Sequence, residues 1–244
     1  MLIRDNLFCE RGDKHASLQN VFGHIAGSYD VMNRLISFGL IRSWRRCAAR
    51  YLALRAGETG LDLGTGTADL ALALAFASDP NANIIGIDCT PQMLEQGRRK
   101  LRRRGLQNRI ELRIGDAEHL DLPDNSVDGC CSAFLVRTLG DLPQSFREML
   151  RVVRPSGRVV CLEISHPPHK ILRGLFHFYF YQCAPLFGVM LTRRLEAYQY
   201  LPQSLKTFGD ASTLKEIMEE CGWSDVHYHR LTGGIVAIHI GTKR

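Results

Sequence analysis

The stretch Leu61-Asp62-Leu63-Gly64-Thr65-Gly66-Thr67-Ala68-Asp69-Leu70 sets a glycine turn between an apolar run that starts at Thr59 and a helical pattern that continues to Ala77. Glycines at a strand-to-helix turn let the backbone approach a ligand and aim the helix N-terminus at it. The same alternation recurs downstream. Short apolar runs at 83–88, 110–115, 128–133 and 158–164 read as strands, and 91–104 and 142–153 carry helical spacing, with Pro91 in a first turn. Strands separated by helices imply a parallel sheet wound on both faces. After a helix over 212–221 the rhythm changes, because 226–230 and 235–241 are two strands joined through Gly233-Gly234. Those glycines suit a reversal, so the last strand is expected to run antiparallel. The expected fold class is therefore α/β: a doubly wound, mostly parallel seven-stranded sheet ending in an antiparallel hairpin. Upstream, Val21, Phe22, Ile25, Tyr29, Met32 and Ile36 recur at helical spacing, and 41–54 reads as a second helix with Trp44, Ala48 and Tyr51 on one face. These two helices make a lid-like unit ahead of the first strand.

A Gly-x-Gly turn alone does not identify a ligand; the acids around it do more. Counting from Gly64, the sixth position of a dinucleotide fingerprint falls on Asp69, where that fingerprint needs a small residue. A carboxylate there repels a pyrophosphate, and Asp62, just before the turn, adds a second anion. A ligand with a cationic sulfonium and an amino group tolerates both, and S-adenosylmethionine is such a ligand. Asp88 ends the second strand at a spacing suited to ribose hydroxyls. Asp116, with Ala117 beside it, ends the third, where a carboxylate and a backbone amide can serve an adenine ring. The competing explanation is that Asp88 and Asp116 cap the helices that follow. Four acids in register with three successive strands favour the cofactor.

The bulk properties exclude little but set the class. With 244 residues, 45% of them hydrophobic, the chain can build one globular core with an appended lid. Its net charge of +6 suits an anionic surface as well as an ordinary enzyme. Eight cysteines fall in no CxxC or CxxH spacing, so no zinc site is indicated and reduced thiols are expected. The first fifteen residues lack the apolar core of a signal peptide, which gives a cytoplasmic expectation, with the inner membrane face as a peripheral site. The basic run Arg98 to Arg104 closes a helix and favours its dipole. No aromatic residue is interleaved there, and no nucleic-acid partner is expected. Residues 174–191, GLFHFYFYQCAPLFGVML, form the most apolar segment, yet His177, Gln182, Pro185 and Gly188 interrupt it. It is expected to be an inserted cap whose aromatic face lines an acceptor pocket, with Lys170, Arg173, Arg193 and Arg194 near lipid headgroups. A plain core helix is the alternative.

Several stretches together resemble the ubiquinone/menaquinone biosynthesis C-methyltransferase family. They are FGHIAGSYDVMNRLISFGLIRSWRR, LDLGTGTADL, GDAEHLDLPDNSVD, REMLRVVRPSGRVVCLEIS, AYQYLPQSLKTF and GGIVAIHIGTK, spread from Phe22 to Lys243. The resemblance implies methyl transfer from S-adenosylmethionine to a ring carbon of a polyprenylated hydroquinone. The expected cofactor set is Tyr29, Asp62, Gly64, Gly66, Thr67, Asp88, Cys89, Met93, Asp116, Ala117 and Ala133, with Tyr29 and Asp30 in a closing lid. Arg137 matches the arginine of the family's Phe-Gly-x-Arg-Asn stretch and is expected at the active site, either gripping a ring hydroxyl or in a salt bridge with Asp141. Tyr29 joins it in the expected catalytic set, as does His166, read either as a proton acceptor or as a histidine that simply satisfies the loop His166-Pro167-Pro168-His169. The chain departs from the family at Leu135 for glycine, at Thr138 for asparagine and at Ala133 for serine. Those changes keep open a different phenolic or apolar small molecule as the acceptor. No metal is expected. The expected divisions are 1–54, a helical lid; 55–165, the cofactor core; 166–210, the apolar cap; and 211–244, a helix and hairpin completing the core. The expected partner is an apolar small-molecule acceptor, with peripheral membrane contact and a homodimer left open.

Overall fold

A computed structural model describes residues 22–23, 26–183, 205 and 208–244. Seven strands form one sheet in the order β3-β2-β1-β4-β5-β7-β6. They are β1 Thr59–Leu63, β2 Asn83–Asp88, β3 Ile110–Ile114, β4 Val127–Ala133, β5 Val153–Ile164, β6 Ser224–Leu231 and β7 Val236–Thr242. β1 to β5 pair in parallel, while β7 lies antiparallel to both β5 and β6. The expected fold class is the observed one.

Helices cover both faces. α1 (Tyr29–Ile36) and α2 (Ile41–Leu52) precede the sheet; α3 (Asp69–Ala77), α4 (Pro91–Arg104) and α5 (Leu142–Val152) are the crossovers; α6 (Lys170–Phe178) runs on into a π-helical turn, Tyr179–Cys183; and α7 (Ala211–Glu220) leads into the hairpin. On one face α2, α3 and α4 bury Trp44, Leu74 and Leu94 against Ile84, Leu112 and Leu162. On the other, α5 and α7 bury Phe146, Met149 and Met218 against Leu61, Leu63 and Val159, and Trp223 Nε1 donates to the Phe146 carbonyl at 3.2 Å. Central strands covered on both sides read as nearly continuous apolar runs, which is why the sequence marks them so clearly. Side-chain caps start α5 and α7: Asp141 accepts from Gln144 N, and Asp210 from Ser212 N and Thr213 N.

Two expected boundaries shift. β5 begins at Val153, ahead of the expected 158, because Val153 pairs with Val127 before the chain bulges through Pro155, Ser156 and Gly157 and pairing resumes at Arg158 with Gly129. Ser156 holds a φ of +67° in that bulge. The β6–β7 reversal is also longer than a two-glycine turn, since Thr232–Gly234 winds a single 3-10 turn. Of the first expected helix, 29–36 is helical, and its start near Ser17 lies outside the described residues.

Candidate active site

The strand order reverses on either side of β1, which opens a crevice at the carboxyl ends of β1 and β4. There Gly64 and Gly66 take left-handed backbone, with φ of +67° and +53°. A Cβ on Gly64 would meet Leu135 Cδ1 at 2.6 Å, so only glycine fits. Asp62, wholly buried, accepts from Thr65 Oγ1 at 2.7 Å through Oδ2, while its Oδ1 has no hydrogen-bond partner. Burial pushes its carboxyl up from 3.8 to about 7, against the pull of the Thr65 hydroxyl. An orphaned buried carboxyl beside a glycine turn is a ready acceptor for a cationic or N–H-bearing ligand, which fits S-adenosylmethionine. Asp88 takes the Gly66 N–H on Oδ2 and the Thr90 N–H on Oδ1, both at 2.8 Å. It braces the turn from the next strand and keeps lone pairs for ribose hydroxyls. Asp116 caps locally, its Oδ1 accepting from Glu118 N at 2.9 Å, and its other oxygen is partly exposed.

α1 is tied to this turn by polar contacts. Thr67 Oγ1 donates to Asp30 Oδ1 at 2.6 Å, and Lys100 Nζ reaches Asp30 Oδ2 at 2.5 Å, Thr67 Oγ1 at 2.9 Å and Asp69 Oδ1 at 2.6 Å. Arg45 Nη1 binds the other oxygen of Asp69 at 2.7 Å. The space enclosed by Tyr29, Asp62, the glycines and Ala133 is only about 20 Å³. The network corrects one premise. Asp69 is neutralised by Arg45 and Lys100, which hold its carboxyl below the usual range despite burial. The repulsion expected of it therefore does not reach a ligand, and the anionic character of the turn rests on Asp62.

Next to α1 lies a second cavity of about 150 Å³, walled by Tyr29, Trp44, Phe134, Ile164, Phe176, Tyr179 and Phe180, with Arg137 as the one charged side chain among its described lining residues. Tyr29 and Trp44 come from α1 and α2, and the aromatic residues of α6 and its π turn close the far side. Arg137 sits on a short 3-10 turn, Val136–Thr138, that follows Phe134, whose φ is +60°. Its Nη1 donates to Glu163 Oε1 at 2.5 Å, the guanidinium lies 5.9 Å from the Phe134 ring centre, and its Nε is buried without a partner. The pair is sunk in the protein, with side-chain exposures of 6% and 1%. The salt-bridge partner is thus Glu163 and not Asp141, whose carboxylate is occupied as the cap of α5.

The model of the ubiE/COQ5 methyltransferase family matches residues 10–243. A ubiquinone/menaquinone biosynthesis C-methyltransferase UbiE from Geobacter sp. (strain M21) is 38% identical over 234 residues, 96% of this chain and 98% of that one. Its counterpart from Pseudomonas putida is 37% identical over 230 residues, covering 94% and 90%. The chain belongs to the ubiE/COQ5 methyltransferase family. It is an S-adenosylmethionine-dependent methyltransferase. Solved structures bear out the fold. An S-adenosylmethionine-dependent methyltransferase from Aquifex aeolicus matches with a TM-score of 0.62 at 17% identity, over 88% of this chain and 98% of that one. Another from Thermotoga maritima, described as a possible histamine N-methyltransferase, gives 0.65 at 15% identity, over 93% and 99%.

In this ubiE/COQ5 family member Tyr29 lines both cavities and forms the partition between them. Met93 is buried against Ala26 and Tyr29 at the start of α4, and Cys89 is half-buried beside Thr90. Ala133 borders the glycine turn. His166 is not brought to Arg137. Its Nδ1 faces His177 Nε2 and its Nε2 faces the Phe208 carbonyl, each at 3.3 Å, and it is not among the described residues lining the second cavity. Leu135 packs over Gly64, and Thr138 donates to the Leu135 carbonyl at 2.6 Å, so both departures shape the turn carrying Arg137 and neither side chain lines the cavity. Sequence reasoning missed Glu163, Arg45 and Lys100. The signal for Glu163 was an acid inside an otherwise apolar strand, where a buried charge needs a partner.

Proposed function

We propose that this enzyme methylates a ring carbon of a polyprenylated hydroquinone, a menaquinone or ubiquinone precursor. The observation that carries the reading is an aromatic-walled cavity with one buried guanidinium among its described lining residues, which shares Tyr29 with the space at the glycine turn. Cavities of about 150 Å³ accept a benzene-sized ring. Asp62, Gly64, Gly66 and Asp88 would hold the cofactor, with Met93, Asp116 and Ala117 beside it. Bound S-adenosylmethionine supplies an electrophilic methyl group. Arg137 stays protonated in any site, so it acts as an electrostatic partner and not as a base. Its unpartnered Nε donates to a ring oxygen and favours the ionised hydroxyl, which makes the ring carbon a better nucleophile. Glu163 fixes the guanidinium in that orientation and balances its charge. Tyr29 aligns ring and cofactor and keeps water out.

Peripheral contact with a bilayer belongs to the same reading. Phe38 lines the cavity while 76% exposed, and its ring lies 5.4 Å from that of Tyr179. Ile171, Leu175 and Phe178 repeat along one side of α6 and are all exposed, an apolar stripe at the cavity's edge. No described helix is long and apolar enough to cross a membrane. Of the cations expected near headgroups, Arg173 is spent on the Pro167 and Pro168 carbonyls, and Arg193 and Arg194 lie outside the described residues.

The test is an assay with methyl-labelled S-adenosylmethionine and a reduced demethylmenaquinone analogue. Label on the ring carbon is expected, lost by at least about 10²-fold in Arg137→Ala and partly kept in Arg137→Lys. Cofactor binding with no label on any menaquinone or ubiquinone precursor would move the search to another phenolic or apolar acceptor.

A further inference from the structure

A third cleft is distinct from the two cavities described above. It measures about 710 Å³ and lies between α1, α2, α3 and α4. Arg42, Arg46 and Arg50 line it from α2 at four-residue steps, and Lys100, Arg103 and Arg104 line it from α4. Eight cations in all face two carboxylates, Asp30 and Asp69. Lys100 and Arg45 satisfy those two, whereas Arg34, Arg42, Arg46, Arg50, Arg103 and Arg104 make no ion pair among the described residues. The floor is apolar, built by Leu72, Ala73, Phe76 and Ala77 of α3, with Phe76 exposed at 66%. Two basic stripes that face each other across an apolar floor repel, and they gain most from a ligand with an anionic head and an apolar body.

We propose that this cleft binds the phosphate headgroups of anionic phospholipids. The proposal rests on the peripheral contact described above and supplies its electrostatic half. Ile41 lines both the basic cleft and the acceptor cavity, and α1 divides them, with Asp30 and Arg34 on one side and Asn33 and Ile36 on the other. A headgroup in the cleft therefore sets the exposed residues Val31, Leu35 and Phe38 against the same bilayer. Guanidinium groups bind phosphate oxygens bidentately, which suits a discrete headgroup seat. Nucleic acid is disfavoured, since Phe76 is the only aromatic side chain in the cleft and the long basic track of a strand-binding groove is missing among its lining residues.

The experiment is vesicle co-sedimentation of the full chain, with zwitterionic phosphatidylcholine or with about one third phosphatidylglycerol added, at about 0.1 M salt. Wild type is expected to bind both, the anionic vesicles much more tightly, since each cation near such a surface adds about fivefold. The double variant Arg46→Glu/Arg103→Glu should lose about 25-fold or more of the anionic affinity and keep the zwitterionic binding. The charge-matched variant Lys215→Glu/Arg244→Glu, on the exposed far surface, should lose little. Equal loss in both variants would assign the effect to net charge and overturn the proposal. Wild type that binds the two vesicles alike would overturn it while leaving the apolar contact standing, and no binding to either would sink both readings. Thermal stabilisation by glycerol phosphate or by an oligonucleotide, lost in Arg46→Glu/Arg103→Glu and without preference for anionic vesicles, would replace the lipid headgroup with a soluble phosphate ester or a nucleic acid.

Discussion

Asp62 is held where its negative charge is disfavoured, at the end of a central strand with no solvent and with one oxygen unpartnered. Burial pushes its carboxyl up to about 7 in consequence, so protonated and ionised forms are both accessible near neutral pH. A cationic ligand at the turn favours the ionised form, and binding should then release a proton. S-Adenosylmethionine is expected to bind up to about tenfold more tightly for each pH unit gained below 7, with the dependence levelling off above it. Asp62→Asn should bind more weakly at pH 8 and show no such slope. Titration calorimetry across pH 6 to 8 checks this, and a wild-type affinity that stays flat would remove Asp62 from the cofactor site. Glu163 allows a companion prediction. Glu163→Gln leaves Arg137 buried without this counter-charge, so kcat should fall by about 10-fold or more while cofactor affinity holds. A fall in stability with turnover unchanged would make the pair purely structural.

At the scale of elements, α1 is tied to the cofactor turn by polar contacts more than by packing. Met32 is its one fully buried residue, while Asp30 reaches Thr67 and Lys100 across the crevice. These partners are partly exposed, so each contact contributes a modest amount, and we propose that α1 opens as a lid. Asp30→Asn keeps the side-chain shape and removes the ion pair. It is expected to speed cofactor dissociation about three- to tenfold with little change in association, as stopped-flow displacement would show; unchanged dissociation would mean that α1 is not a lid. This element also marks where the sequence stops being legible. The strands and crossover helices announce themselves by period and by glycine, because each buries a continuous face. The contacts of α1 and α2 are made by residues far apart in the chain, such as Asp30 of α1 with Lys100 and Trp44 of α2 with Thr232, and no local pattern encodes them. The surroundings of His166 were illegible for a related reason. Its position after β5 suggested the site, but the direction of a side chain in a loop depends on partners such as His177 and Phe208 that the sequence does not place.

Across the whole molecule, the sheet gathers two buried groups with opposite proton preferences. Asp62 on β1 binds its proton more tightly folded than unfolded, so its contribution to stability declines as pH rises from about 4 to 7. His239 on β7 is buried, with Nε2 donating to the Ala211 carbonyl at 2.8 Å, and burial lowers its pKa from 6.5 to about 4. The unfolded chain holds that proton better, so the histidine's contribution declines as pH falls from 6.5 toward 4. The two slopes cover nearly the same window, each at most about 1.4 kcal/mol per pH unit, and they offset each other. Substituting either one should uncover the other. Relative to wild type, His239→Gln is expected to gain stability progressively below pH 6.5, and Asp62→Asn to gain it progressively between pH 4 and 7. In a chain of this size each kcal/mol moves the melting temperature by about 2–4 °C, within reach of scanning fluorimetry. Saturating S-adenosylmethionine should flatten the difference for Asp62→Asn alone, since the ligand stabilises the charge that wild type otherwise holds at a cost. Three melting profiles that run parallel from pH 4 to 7 would mean that neither group changes its proton affinity on folding.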